Sequence, residues 1–252
     1  MHNIEMQEMS AEFLKIWHSA GNHLNSQVQG GIRAWLRAHP NPPILEHLSF
    51  RIENQLFFIR IEDRNEKIQG PGSIQGLLAV SEACQGHACL LPMRKKLFGG
   101  EWVSAFKGWG LLDARTMEPI DPMDLITDER IVMTAWEQQD LAVQVVKDSL
   151  QKQGSKIMSW QSNPEVDPAI WFLNSFGTPE WVVVRATNFP DNQAARPANW
   201  EELISQCSSV SNKGHFASVA IASADQPFLR EEEPAIPLWR GRALHIRFNG
   251  LE

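Results

Sequence analysis

The sequence predicts an α/β (or α+β) fold in which a mixed β-sheet is flanked by helices. Three observations carry that expectation. Helical and strand periodicities alternate through the second half of the chain, an apolar hairpin pattern stands in the first half, and aromatic residues supply the bulk of a core. The 252 residues suffice for one large domain or two small ones, and 43% hydrophobic against 21% charged residues excludes a disordered chain. We place an N-terminal α+β region over 1–130 and an α/β domain over 131–252.

Phe13, Leu14, Ile16 and Trp17 are spaced for a helix that stops near Gly21. Ile32, Trp35 and Leu36 predict a second helix from about Ser26 to His39, ended by Pro40, Pro42 and Pro43, because proline lacks the amide hydrogen a helix needs. In HLSFRIENQLFFIRIED, apolar residues alternate on either side of Glu53-Asn54, which predicts a hairpin. IQGLLAVSEACQ reads as a helix capped by Gly86, followed by the strand HACLLPM. Residues 97–130 are glycine- and proline-rich and loop-like, with GWGLLDA as a short strand. In this stretch Trp102, Phe106 and Trp109 either pack in the core or line a groove or interface.

Thr134 followed three residues later by Glu137 predicts a capping box, with the helix running to about Gln153 before Gly154. SKIMSW, DPAIWFL and EWVVVRAT are then three strands, NWEELISQCSSV a helix, and GHFASVAIAS and ALHIRF two further strands, the last after an acidic loop at Glu231–Glu233. A repeat runs through this order. QLFFIRIED, helix, GHACLLPM mirrors EWVVVRAT, helix, GHFASVAI, so the N-terminal half is read as a possible related half-fold.

Net charge is −7, and the densest basic run is Arg94-Lys95-Lys96. That disfavours a broad phosphate-gripping face and leaves room only for a local patch. Three cysteines are no disulfide framework, MHNIEMQEMSAEF carries acids where a signal peptide is basic, and no apolar run reaches the ~18 residues of a membrane span. The expectation is a cytoplasmic protein, of bacterial type or from a eukaryotic cytosol, with a protein partner or small ligand, no membrane association, and an oligomer as one option.

From Trp136 onward, helix, three strands, helix, strand, with the texture LAVQVVKDSLQKQGSKIMSW…VDPAIWFLNSFGTPEWVVVRAT, resembles the restriction-endonuclease-like (PD-(D/E)XK) superfamily over residues 134 to 225. The resemblance implies an acid on the second strand and a Glu-X-Lys on the third, holding a divalent metal and a water for phosphodiester cleavage. Carried over, Asp167 takes the strand-two position and Glu137 the acid some members place on the first helix. Val183 stands at the Glu position and Arg185 at the Lys position, so the pattern is degenerate. Glu180, three residues earlier, is a compensating acid only if the alternation of the strand allows it.

Read without the resemblance, Glu137 is the capping acid, Asp167 a turn residue before Pro168, and Arg185 the partner of an acid across the sheet. Three functions follow. The leading one is a non-catalytic binding or regulatory protein on a degenerate nuclease-like fold, without a cofactor. The alternative is a Mg²⁺-dependent nuclease with relocated acids, its catalytic candidates Glu137, Asp167, Glu180 and Arg185 and its metal ligands Asp167 and Glu180. An oligomeric interaction protein built on the tryptophan-rich middle is a third. Cys84, His87, Cys89, Cys207 and His215 do not have the spacing of a zinc finger or knuckle and are expected in the core.

Overall fold

Alternating helices and strands of the computed structural model form two mixed sheets flanked by helices, and the α/β class is as expected. The structure describes residues 10–37, 47–97, 99–226, 228 and 234–252. The proline stop at 40–43, the acidic loop and the first nine residues lie outside them. Two compact units divide the chain, 1–129 and 130–252.

In the first unit, α1 (Ala11–Ser26) is capped by Ser10, whose side chain accepts from the Phe13 amide, and buries Phe13, Ile16, Trp17, Ala20 and Leu24. It runs past Gly21 because that glycine points into open space and the apolar stripe continues to Leu24. The predicted second helix is corrected. Gly30 and Gly31 take left-handed backbone at φ +80° and +81°, and residues Ala34–Arg37 form strand β1. Trp35 pairs with Phe50 across the ladder and packs edge-on against its ring, a contact that outweighs the helical spacing of its neighbours.

The hairpin of β2 (Leu48–Ile52) and β3 (Gln55–Asp63) is present, turning through Glu53 at φ 49°. Helix α2 (Ile74–Ala83) then crosses to β4 (His87–Lys95), which lies parallel to β3. The left-handed C-terminal position of α2 belongs to Gln85, at φ 48°, and not to Gly86. Gly86 is there for space: a Cβ would lie 2.8 Å from the Phe58 ring and 3.0 Å from the Leu56 carbonyl. Short strands β5 (Trp102–Ser104), β6 (Leu111–Asp113) and β7 (Pro119–Ile120) complete a seven-stranded sheet. Trp102 and Trp109 are buried and Phe106 is 44% exposed.

In the second unit, α3 (Ala135–Lys152) starts from the predicted capping box. Thr134 Oγ1 accepts from the Glu137 amide, and the Glu137 carboxylate accepts from the Thr134 amide. Strands β8 (Lys156–Trp160), β9 (Ile170–Leu173), β10 (Pro179–Asn188), β11 (Gly214–Ser223) and β12 (Leu244–Phe248) form a sheet in the order β12-β11-β10-β9-β8. Only β10 and β11 are parallel neighbours, joined by α4 (Trp200–Cys207). Strand alternation sorts the core into two layers. Val182, Val184, Ala217 and Val219 pack on Val143 and Val146 of α3; Trp181, Val183 and Phe216 pack on Leu203 and Cys207 of α4.

The two units repeat one plan. Helix, three antiparallel-linked strands, helix and a parallel strand occur in the same order in each. The parallel ladders are in the same register, with Phe57 opposite His87 and Val182 opposite His215. Gly214 repeats the spatial constraint of Gly86, since a Cβ there would lie 2.1 Å from the Trp181 ring. Even a side-chain contact recurs: His87 Nε2 is 3.0 Å from Gln55 Oε1, and His215 Nε2 is 2.7 Å from Glu180 Oε2.

Candidate functional site

β10 is the strand around which the sequence-predicted residues gather. Its alternation places Trp181, Val183 and Arg185 toward α4, and Glu180, Val182 and Val184 toward α3. Asp167, just ahead of β9, meets Arg185 on the α4 side. The two carboxylate oxygens accept from separate guanidinium nitrogens, Oδ1 at 2.8 Å from Nη1 and Oδ2 from Nη2, in the forked geometry arginine is built for. Arg185 Nη1 also donates to the Val184 carbonyl at 3.0 Å. The Cys207 thiol on α4 is pushed up from its ordinary pKa first by burial and then by the Asp167 charge.

Glu180 lies on the opposite face and has its own partners. Its side chain is 4% exposed and accepts from Asn174 Nδ2 at 2.6 Å, Lys213 Nζ at 2.7 Å and His215 Nε2 at 2.7 Å. Burial raises its pKa, but the three donors outweigh burial and hold the carboxyl below its ordinary value. Glu137 occupies a third place. Besides the helix cap, its carboxylate accepts from Arg240 Nε at 2.9 Å and Nη2 at 2.8 Å, with side-chain exposures of 6% and 0%.

The structure therefore joins Asp167 with Arg185 and separates both from Glu180 and Glu137. Mg²⁺ needs carboxylates that converge with open coordination positions. Here one acid is clamped by arginine, the second faces the far side of the sheet among cations, and the third is a capped, arginine-bound helix residue. Among the described residues, no three His, Cys, Asp or Glu side chains are grouped so as to hold a metal. The candidate set does not fit the ion. Cys84, Cys89 and Cys207 are buried and form no disulfide, and burial pushes the Cys89 thiol well above its ordinary range.

Two residues at the site escaped sequence reading. Arg240 finds Glu137 across 103 positions. Gln139, on the buried side of α3, bonds to β10 where β9 has ended: its Nε2 donates to the Val184 carbonyl at 2.8 Å, and its Oε1 accepts from the Ala186 amide at 3.1 Å. A side-chain amide has the donor and acceptor of a peptide group, so Gln139 continues the ladder. The only local signal was a polar residue on the apolar stripe of α3.

The first unit carries a cavity of about 330 Å³ where α2 ends and β4 begins, lined by Glu82, Gln85, His87, Asp113 and Arg115 among others. Its charges are mutually engaged. Arg115 lies 3.6 Å from Glu82, and Asp113 accepts from the Arg115 and Thr116 amides at 2.8 Å.

A family model described as a domain of unknown function (DUF8840) matches residues 136–252, just under half of the chain. Neither the curated proteins nor the solved structures searched gave a match.

Proposed function

We propose that residues 134–225 are a degenerate restriction-endonuclease-like core and that the protein acts by contact, as a binding or regulatory protein, and not by cleavage. The element order α3-β8-β9-β10-α4-β11, with Asp167 and Arg185 facing the same side, supports the likeness. One observation carries the functional half of the reading. The strand-two acid is held at both oxygens by the arginine in the lysine position, and the neighbouring position on that face is Val183, with no oxygen to offer. A carboxylate so engaged must lose a charge-assisted pair before it can bind an ion, and β10 carries no second carboxylate on that face to offset the loss.

Purified protein incubated with plasmid and single-stranded DNA in Mg²⁺ or Mn²⁺ tests the reading. The expected result is intact DNA. Cleavage that disappears in Asp167→Ala would overturn it in favour of a Mg²⁺-dependent nuclease using Asp167. The oligomeric interaction protein is distinguished by light scattering, a strict monomer at high concentration counting against it.

No helix among the described residues is long and apolar enough to cross a membrane. Three buried cysteines that form no disulfide support a reducing compartment, and we take the cytosol as the site of action.

A further inference from the structure

The carboxyl end of the parallel β3–β4 pair carries cations that form no ion pair among the described residues. Arg64 follows β3, and its amide donates to the Met93 carbonyl at 2.8 Å, which sets it beside Arg94 of β4. Across the β4–β5 hairpin stands Phe106, 44% exposed, with the Arg64 guanidinium 5.7 Å from its ring centroid. Lys107 is next in the chain and exposed, and Lys67 is exposed on the turn after β3.

The acids nearby are mostly engaged. Glu62 pairs with Arg60, Glu101 with Lys96 and Glu12 with Lys95, while Asp63 accepts from the Asn65 and Lys67 amides. Glu66 is exposed on the same turn as the remaining negative charge. Arg64, Lys67, Arg94 and Lys107 make no ion pair among the described residues. A local positive patch with a half-open aromatic ring thus stands out on a chain of net charge −7.

We propose that this surface binds single-stranded nucleic acid, with Arg64, Arg94 and Lys107 on the phosphates and Phe106 stacking a base. Phosphates supply the charge that these cations lack, and one ring backed by a guanidinium offers its free face to a flat partner. Only an unpaired strand can present such a base, since in a duplex both faces are already stacked. The proposal stands on the first unit and does not depend on the nuclease-like reading of the second.

The test is fluorescence anisotropy of the full chain with labelled oligothymidine, a mixed-sequence single-stranded RNA, and a duplex of equal length. The single strands are expected to bind in preference to the duplex. Three phosphate contacts give a slope of about −2 in log affinity against log salt, which amounts to roughly a 20-fold loss between about 50 and 200 mM. Arg64→Ala/Arg94→Ala/Lys107→Ala flattens that slope, and Phe106→Ala weakens binding by about 5- to 150-fold while leaving it unchanged.

Because these side chains are exposed, circular dichroism and the unfolding midpoint should not change, which separates lost binding from lost folding. Four results would overturn the proposal: no binding at the lowest salt, a slope indifferent to the triple variant, a neutral Phe106→Ala, or preference for the duplex. A fifth concerns Leu97, which is 94% exposed in the turn between β4 and β5. Co-sedimentation with phosphatidylserine vesicles that is lost in Leu97→Ala, without oligonucleotide binding, would assign the patch to a lipid surface.

Discussion

Removing the guanidinium of Arg240 should be among the most damaging single changes in the second unit. Its side chain is wholly out of water and the Glu137 side chain is 6% exposed, with contacts of 2.8 to 2.9 Å joining them. Arg240→Met leaves the Glu137 carboxylate buried, facing only the amide and hydroxyl of Thr134. A buried charge stripped of its partner costs about 3–5 kcal/mol, a large share of the roughly 5–15 kcal/mol that stabilises a domain. For a unit of this size that corresponds to roughly 10–20 °C in Tm. Glu137→Gln strands the arginine instead and should cost about as much.

The double variant Arg240→Met/Glu137→Leu removes both charges. It gives up the return bond of the capping box, about 1 kcal/mol, but buries no unpaired ion, so it should be more stable than either single variant. Urea unfolding followed by circular dichroism measures all four proteins, and only the transition belonging to residues 130–252 should shift. Single variants within about 0.5 kcal/mol of the parent, or a double variant as damaged as the two singles summed, would refute the account of this pair.

Gly214→Ala places a methyl 2.1 Å from the Trp181 ring, so an overpacking loss of about 1–3 kcal/mol should appear in the same urea titration. Glu180 titrates below the ordinary carboxyl value of 4.5 in the folded chain. Its stabilisation is therefore complete above that value and is lost as pH falls through the folded pKa; Glu180→Gln should flatten this acid limb in a series of thermal melts between about pH 5 and 2. The three cysteines are buried, and those at 89 and 207 have thiols pushed up in pKa, so a chromogenic disulfide reagent at neutral pH should label none before unfolding and all three afterwards.

The sequence showed most where a local pattern and the final packing agree. α3 was visible because Thr134 and Glu137 cap it three residues apart, and β8 to β12 because apolar runs end at glycine, proline or polar breaks. β1 was misread because Ile32, Trp35 and Leu36 fit a helical stripe, while the residue that decides the matter, Phe50, is fifteen positions from Trp35. The candidate site was legible in part for the same reason. Arg185 was expected to meet an acid across the sheet, and Asp167 is that acid. The separation of Glu180 follows from strand alternation, but the partners that hold it, Lys213 and His215, arrive from β11 and the turn before it, more than thirty residues on. Arg240 has no local signature, and Gln139 only a polar residue on the apolar stripe of α3, because their partners are distant in sequence.

The shared glycine–histidine step sets the same contact in two different electrostatic surroundings. In one copy the imidazole meets a neutral amide, and in the other a carboxylate that also draws in a lysine. Plan and register match while the charges around the imidazole differ, so each unit serves as a comparison for the other. Exchanging Gln55 and Glu180 would show whether a property that depends on that carboxylate travels with the side chain or stays with the frame.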